Sequence, residues 1–159
     1  MRKSFTFLAI MMVLFTSCKK EIKQVTEVTQ VATPSIGVVY TIKPADWQTP
    51  DNKLSYYVSL QIPELADSIY DHGAVITYLS FQGTDYYEAL PEEFDGISYG
   101  AIHSTGYVTI DYHAIDGGTV DPPTSNITAK VVLIPATLMK AHPGVNLRDY
   151  KEVEKLFLK

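Results

Sequence analysis

One serine lies in the sequence pattern of a hydrolase nucleophile. Residues 96–100 (GISYG) place Ser98 between two glycines, and Asp116 and His142 follow later in the chain. This is the G-x-S-x-G pattern with the residue order of α/β-hydrolases, whose fold needs a strand before the serine and a helix after it. The residues after Ser98 predict a strand and a turn. We therefore predict that the chain is not an enzyme, and a small serine hydrolase using Ser98 is the alternative.

Metal-binding patterns are sparse. The histidines lack the paired spacing of a zinc site, and they lie at His72, His103, His113 and His142. Carboxylate oxygens near one predicted turn offer the ligands that Ca²⁺ prefers, and they belong to Asp111, Asp116 and Asp121. Their spacing differs from that of an EF-hand loop. We predict no metal site and no cofactor, with these three aspartates as a calcium candidate.

Aromatic residues are frequent, since 11 of the 159 residues are tyrosine. A surface that stacks on sugars or on a protein partner could form from Trp47, Tyr57, Tyr86 and Tyr87. Aromatic side chains supply a large contact area at a low entropic cost. They are also favoured on the pleated surfaces of strands. We therefore favour the interpretation that these four residues belong to the core and to the faces of strands over the interpretation that they form a binding surface.

The only cysteine predicts an anchor. Two basic residues precede an apolar stretch over residues 5–15, which is too short to span a bilayer and has the proportions of a secretory signal. Residues 15–18 (FTSC) resemble a bacterial lipobox. In such a motif the signal is cut between Ser17 and Cys18, and the cysteine is acylated. Acyl chains on Cys18 would hold the protein on a membrane.

Removal of residues 1–17 changes the charge and the redox chemistry of the chain. Arg2 and Lys3 leave with the signal, so 11 basic and 18 acidic residues remain and the net charge becomes −7. Such a surface repels phosphates, and we predict no nucleic-acid partner. With Cys18 acylated, no thiol remains for a disulfide or a thiolate metal site.

The rest of the chain predicts a tether followed by strands. Residues 18–34 are polar and rich in threonine and glutamine, which indicates a lipidated N-terminus and a tether. Residues 35–142 then show short apolar runs, several of them alternating, of the kind that form antiparallel strands. The predicted strands are 36–42, 54–62, 74–82, 86–90, 97–103, 106–113 and 127–134, and the run at 74–82 is apolar on both faces, as in a central strand.

Turn residues separate these runs, and no helix is predicted between them. About seven strands therefore predict an all-β fold, an antiparallel immunoglobulin-like β-sandwich. Residues 143–159 form a short C-terminal helix in this interpretation, packed on the domain, with Asn146 as its N-cap and Asp149 in its first turn. Its apolar stripe contains Leu147, Tyr150, Val153, Leu156 and Phe157. Docking of this helix on a partner is the alternative.

Four segments carry a resemblance to a known group. They are SIYDHGAVITYLSF at 68–81, EALPEEF at 88–94, ITAKVVLIPA at 127–136 and NLRDYKEVEKLF at 146–157. Over most of residues 35–158 the chain resembles a family of uncharacterised Bacteroidota lipoproteins. No catalytic signature defines that family, so the resemblance implies an envelope lipoprotein without implying an active site.

Two short motifs fit that resemblance. Residues 18–21 (CKKE) are partly similar to the export tag of outward-facing lipoproteins, and residues 67–69 (DSI) are similar to an O-glycosylation site at Ser68. We therefore expect an outer membrane lipoprotein that is either surface-exposed or periplasm-facing. Its expected role is that of a non-enzymatic binding or structural module, with an envelope protein or a glycan as partner. A fimbria-like assembly subunit is a further alternative.

Overall fold

A computed structural model describes residues 34–81 and 84–158. The predicted signal peptide, Ser17, Cys18 and all but the last residue of the predicted tether lie outside these ranges. Within them, no helix has both the length and the apolar character that a bilayer crossing requires.

Among the described residues, eight antiparallel strands form two four-stranded sheets. In chain order they are β1 (Ile36–Ile42), β2 (Ser55–Gln61), β3 (Ala74–Phe81), β4 (Glu88–Ala89), β5 (Glu92–Phe94), β6 (Ile97–Ser104), β7 (Tyr107–Ala114) and β8 (Ile127–Ile134). One sheet has the order β1-β8-β3-β4 and the other β2-β7-β6-β5. The prediction of an all-β antiparallel sandwich is confirmed, with one strand more than expected.

The strand order does not confirm the immunoglobulin-like part of the prediction. In an immunoglobulin sandwich the first two strands are neighbours in one sheet. Here β1 and β2 lie in different sheets, and the first strands pair with the last ones. β1 pairs with β8 from Ile36 opposite Leu133 to Ile42 opposite Ile127, and β2 pairs with β7.

In the described part of the chain, three α-helices and one 3-10 turn accompany the strands: α1 (Asp67–His72), α2 (Ala136–Ala141), α3 (Tyr150–Phe157) and the turn at Pro44–Asp46. The prediction that no helix separates the strands was wrong, because α1 lies between β2 and β3. This helix has six residues and buries only Ile69. A helical period in the hydrophobic pattern cannot develop over so short a segment.

Buried side chains form two clusters, one on each face of the β1-β8-β3-β4 sheet. The larger cluster lies between the two sheets and includes Leu79 of β3 and Leu133 of β8. The smaller one lies between this sheet and α3, and it includes Tyr78 and Val132. The apolar character of β3 on both faces follows from this arrangement, so the prediction of a central strand is confirmed for Ala74–Phe81.

The C-terminal helix begins later than the sequence predicted. Its N-cap is Asp149, whose carboxylate accepts hydrogen bonds from the backbone N–H groups of Lys151 (2.9 Å) and Glu152 (3.2 Å). Asn146 is not the cap. Its side-chain oxygen accepts from the N–H of Arg148 (3.1 Å) in the turn that precedes the helix.

Tyrosine contacts join α3 to the sheet below it. The ring of Tyr150 meets that of Tyr78 edge-on at 5.2 Å, and the Tyr78 hydroxyl donates to the carbonyl of Leu147 (2.6 Å). The ammonium of Lys130 lies over two rings, 4.3 Å from the centre of Tyr150 and 4.5 Å from that of Tyr87. Val153 and Phe157 complete the buried side of the helix, whereas Leu156 is 38% exposed.

Burial raises the pKa of several tyrosines. For Tyr78 the cause is mainly desolvation of the ring hydroxyl, with a smaller effect of the Asp149 charge. For Tyr112 it is again desolvation, followed by Tyr56, Tyr99 and Asp121. The protonated form of each hydroxyl is therefore favoured in the folded chain, and this preference links stability to pH.

The cap assignment predicts different effects for two substitutions. Asp149→Ala removes the acceptor of two helix N–H groups and should lower the free energy of unfolding by about 1 kcal/mol. Asn146→Ala should lower it by no more than about 0.5 kcal/mol, as for other exposed turn positions. Urea denaturation of both variants measures the difference. A larger loss for Asn146→Ala would contradict the assignment.

The tyrosine shifts predict a loss of stability at alkaline pH. Because the folded-state pKa of Tyr78 lies above that of the unfolded chain, its contribution is complete below pH ~10 and declines as the pH rises further. Tyr78→Phe should lower the stability at neutral pH by about 1 kcal/mol and flatten the decline above pH ~10. Tyr107→Phe, on an exposed side chain, is the control. Parallel stability curves for wild type and Tyr78→Phe between pH ~9 and ~11.5 would contradict the linkage.

Candidate functional site

An apolar cavity opens between the two sheets at the edge formed by β4 and β5. Its volume is about 450 Å³, within the range of ligand-binding cavities in proteins. The walls contain Leu79 and Phe81 from β3, Tyr99 from β6, and six residues of the segment 84–94: Thr84, Tyr86, Glu88, Leu90, Glu92 and Phe94. We call this cavity the edge pocket.

Alternation along the segment 84–94 builds the outer wall. All six of its lining residues have even numbers, so alternate side chains of β4, of β5 and of the residues before and between them face the cavity. The odd-numbered residues Tyr87 and Ala89 instead join the cluster under α3. This segment carries the chain from β4 in one sheet to β5 in the other by way of Leu90 and Pro91. A single stretch of chain thus supports the helix and lines the pocket.

The pocket combines a buried floor with an exposed aromatic rim. Leu79 at the floor is fully buried, whereas Tyr86 is 69% and Phe94 is 67% exposed. The ring of Phe81 contacts those of Tyr99 (5.4 Å between centres) and Phe94 (6.5 Å). Large aromatic side chains grouped at the mouth of a cavity are typical of interaction sites.

Among the described residues of the pocket walls, carboxylates are the only charged groups. Glu88 and Glu92 line it, and no basic side chain does. Arg148 forms an ion pair with Glu92 and donates to the carbonyl of Pro91 (3.4 Å). Glu88 has no ion pair within the described ranges. Burial raises the pKa of Tyr99, and the Asp95 charge adds to the shift.

The strands beside the pocket are the last ones of their sheets. Within residues 34–81 and 84–158, β4 pairs only with β3, and β5 pairs only with β6, through Glu92 opposite Tyr99 and Phe94 opposite Ile97. No further strand lies beside β5 in the part of the chain that the structure describes. Edge strands of this kind keep a row of backbone N–H and C=O groups free for another chain.

A second cavity lies at one end of the sandwich, beneath the turn between β7 and β8. Its volume is about 840 Å³, and it shares Phe81 and Tyr99 with the edge pocket. Asp116 and Asp121 line it together with Asp95. The Asp116 carboxylate accepts from the N–H of Gly118 (2.9 Å), and Asp121 forms an ion pair with Lys53 (3.3 Å).

The three aspartates of the calcium candidate do not line one common cavity. Asp111 does not line the cavity that holds Asp116 and Asp121. It lies on β7 between Tyr57 of β2 and Gly100 of β6, and its carboxylate is 3.8 Å from the ring of His113. No group of three metal-ligating side chains converges among residues 34–81 and 84–158.

The three residues of the predicted hydrolase pattern lie apart. Ser98 is within β6, which continues to Ser104 and is followed by a turn and not by a helix. Asp116 is in the turn after β7, and His142 follows α2, with its ring 5.3 Å from that of Phe157. The strand–serine–helix geometry required by the nucleophile elbow is therefore not found.

A different histidine lies beside the serine. Ser98 is opposite His113 in the register of β6 and β7, and Asp111 follows on the same face of the sheet. No hydrogen bond joins Ser98 to His113 among the described contacts. The sequence could not identify this neighbour, because it depends on the pairing register of two strands.

The four aromatic residues of the predicted stacking surface occupy separate places. Trp47 is buried, 5.0 Å from the ring of Tyr112. Tyr57 lies on β2 with its hydroxyl 3.1 Å from the Gln48 side chain. Tyr86 lines the edge pocket, whereas Tyr87 packs against Tyr150 under α3. They do not form one surface.

The predicted O-glycosylation site lies in α1. Ser68 is exposed, and the carboxylate of the preceding Asp67 accepts a hydrogen bond from Thr105 (2.8 Å). Modification of Ser68 stays a prediction, as does acylation of Cys18.

The edge pocket itself was missed in the sequence. Its wall mixes apolar and acidic residues, so the segment 84–94 shows no apolar alternation. Only Tyr86–Leu90 was predicted as a strand there, and β5 was not predicted. The available signal was the mixture of three aromatic and four acidic residues in this segment.

The geometry of the described residues identifies this cavity without help from related proteins. Comparisons of the chain with protein-family models, with curated proteins and with solved structures found no match.

Proposed function

We propose that the chain is an outer membrane lipoprotein that acts as a non-enzymatic binding module and holds a partner protein of the envelope at the edge pocket. Its anchor is the acylated Cys18, on the surface-exposed or the periplasm-facing side. The edge pocket carries the proposal, because it is an apolar cavity of about 450 Å³ with two exposed aromatic side chains at its mouth. The resemblance to Bacteroidota lipoproteins supports the location.

The exposed rim favours binding over a purely structural role. Tyr86 and Phe94 bury little of their surface in the chain itself. Aromatic side chains contribute more than most residue types to the free energy of protein association. A partner that covers these rings would remove apolar surface from water, at about 25 cal/mol per Å² before the entropic cost of association.

The chemistry of the walls favours a protein partner over a glycan. Recognition of sugar hydroxyls needs several hydrogen-bonding side chains around the ligand. Among the described lining residues, the hydrogen-bonding side chains are Thr84, two tyrosines and two glutamates, of which Glu92 already pairs with Arg148, and the others are apolar. A protein segment with apolar side chains matches this lining more closely.

Photocrosslinking in cells that express the protein natively tests the proposal. Benzoylphenylalanine replaces Tyr86 or Phe94 at the pocket mouth, and Ile102, which is 70% exposed on β6 outside the pocket, serves as the control position. We expect the two pocket positions to give one adduct of defined mass with an envelope protein. The Ile102 position should not give it.

The same probe in a Cys18→Ser background tests the anchor. Without the acyl chains the protein should leave the outer-membrane fraction and the adduct should be lost or reduced. Equal crosslinking at Ile102, or adducts with lipid or glycan alone, would contradict the proposal. Retention of Cys18→Ser in the outer-membrane fraction would contradict the anchor.

A further inference from the structure

We infer that the partner enters the edge pocket as an extended peptide that pairs with the free edge of β5, places one large apolar side chain in the cavity and carries a basic residue beside Glu88. This inference rests on the proposed function and adds the chemical class of the bound segment. Three independent features of the site lead to it: a free strand edge, an apolar cavity in line with that edge, and unbalanced carboxylates.

The free edge of β5 offers backbone N–H and C=O groups to an added strand. β5 is hydrogen-bonded to β6 on one side, and no strand lies on its other side within the described residues. An added strand would hydrogen-bond to this edge, which is a recurrent mode of peptide recognition. The short β5, with three residues, limits the number of these bonds, so side-chain contacts must contribute most of the affinity.

The pleat of β5 directs side chains toward the cavity. Glu92 and Phe94 face the pocket, whereas Glu93, opposite Ser98, points away from it. A neighbouring strand follows the same pleat, so every second side chain of the added peptide would face the pocket. The volume of about 450 Å³ above Leu79 accommodates a large apolar side chain there.

Charge determines which residues flank this anchor. Residues 84–95 contain five acidic residues and no basic one: Asp85, Glu88, Glu92, Glu93 and Asp95. Arg148 neutralises Glu92 alone among the pocket carboxylates. A lysine or arginine of the peptide beside Glu88 would be attracted, whereas an acidic residue there would be repelled.

The same carboxylates argue against an acyl chain in the pocket. A bound lipid would bring an anionic head group to the rim, close to Glu88. The apolar walls would accept the chain, but like charges at the entrance oppose its head group. An apolar peptide with a basic flank satisfies both the walls and the rim.

Fluorescence anisotropy with synthetic peptides tests this inference. The full acylated protein is held in nanodiscs of zwitterionic lipid, and empty nanodiscs correct for binding to the bilayer. The probes are fluorescein-labelled nonapeptides of serine and glycine with a central phenylalanine. The residues two positions before and two positions after the phenylalanine share its side of the strand, and they are both lysine in one peptide, both glutamine in the second and both glutamate in the third. A fourth peptide has lysine flanks and alanine at the centre.

The expected order of affinity is lysine, then glutamine, then glutamate, with about tenfold between the first and the last at low salt. The preference for the lysine peptide over the glutamate peptide should shrink at about 0.5 M salt because exposed charges are screened.

Glu88→Gln should reduce the ratio of the affinities for the lysine and glutamate peptides by about threefold. Replacement of the central phenylalanine by alanine, or Phe94→Ala in the protein, should weaken binding at least about fivefold. Ile102→Ala is the matched control and should change nothing.

N-methylation of the peptide backbone distinguishes binding by strand addition from binding by insertion of one side chain alone. Neighbouring residues of a strand point their N–H groups to opposite sides. N-methylation of the lysine peptide at two adjacent positions should therefore weaken binding at one position and leave it nearly unchanged at the other. Circular dichroism verifies that the protein variants remain folded.

Several results would overturn the inference. These are no binding of any peptide at about 1 mM, well above the range of specific complexes, equal binding of the lysine and glutamate peptides, or tolerance of N-methylation at both positions. Displacement of the bound peptide by a fatty acid at a lower concentration than by unlabelled peptide would assign the pocket to lipid. If these results appear while the crosslinks at Tyr86 and Phe94 persist, the binding module stands and only the peptide assignment fails.

Discussion

The segment 84–94 places two sets of side chains on opposite sides, and the architecture depends on this division. Tyr87 and Ala89 are packed under α3, and the even-numbered residues line the edge pocket. Because successive side chains of a strand point in opposite directions, Glu88 of β4 cannot change sides unless Tyr87 and Ala89 change sides as well. A shift of one residue would place Glu88 under the helix and expose Ala89, at the cost of a buried charge.

This constraint connects the C-terminal helix to the site. Tyr87 contacts Tyr150, with 4.6 Å between ring centres, and Lys130 lies over both rings. Tyr78 holds the chain before α3 through its hydrogen bond to Leu147. Arg148, next to Leu147, reaches Glu92 and Pro91 on the pocket side. The C-terminal segment thus supports the outer wall of the pocket from the side that faces away from the cavity. Residues 143–158 therefore shape a site that they do not line.

Much of the strand content was predictable, because it follows from local hydrophobic patterns. The bounds of β1 and β8 agree with the prediction residue for residue, and those of β2, β6 and β7 lie within one residue of it. The strand order, the pairing of Ser98 with His113 and the cap at Asp149 were not predictable in this way. Each depends on which distant segments meet, and the alternation of apolar residues along one strand carries no such information. The pocket was missed for a related reason. Residues of both sheets form its wall, and the acidic residues interrupt the apolar pattern along the sequence.

Cysteine footprinting in situ tests the division of this segment most directly. Single cysteines replace Thr84, Tyr86 or Glu88, which line the pocket, or Asp85 and Glu93, which do not. Since Cys18 is the only native cysteine and is acylated in our proposal, the unmodified protein reports the background. Maleimide labelling rates are compared between native membranes and the purified protein. We expect slower labelling in membranes at positions 84, 86 and 88, with unchanged rates at 85 and 93. Equal slowing at all five positions, or none at the pocket-facing ones, would contradict it.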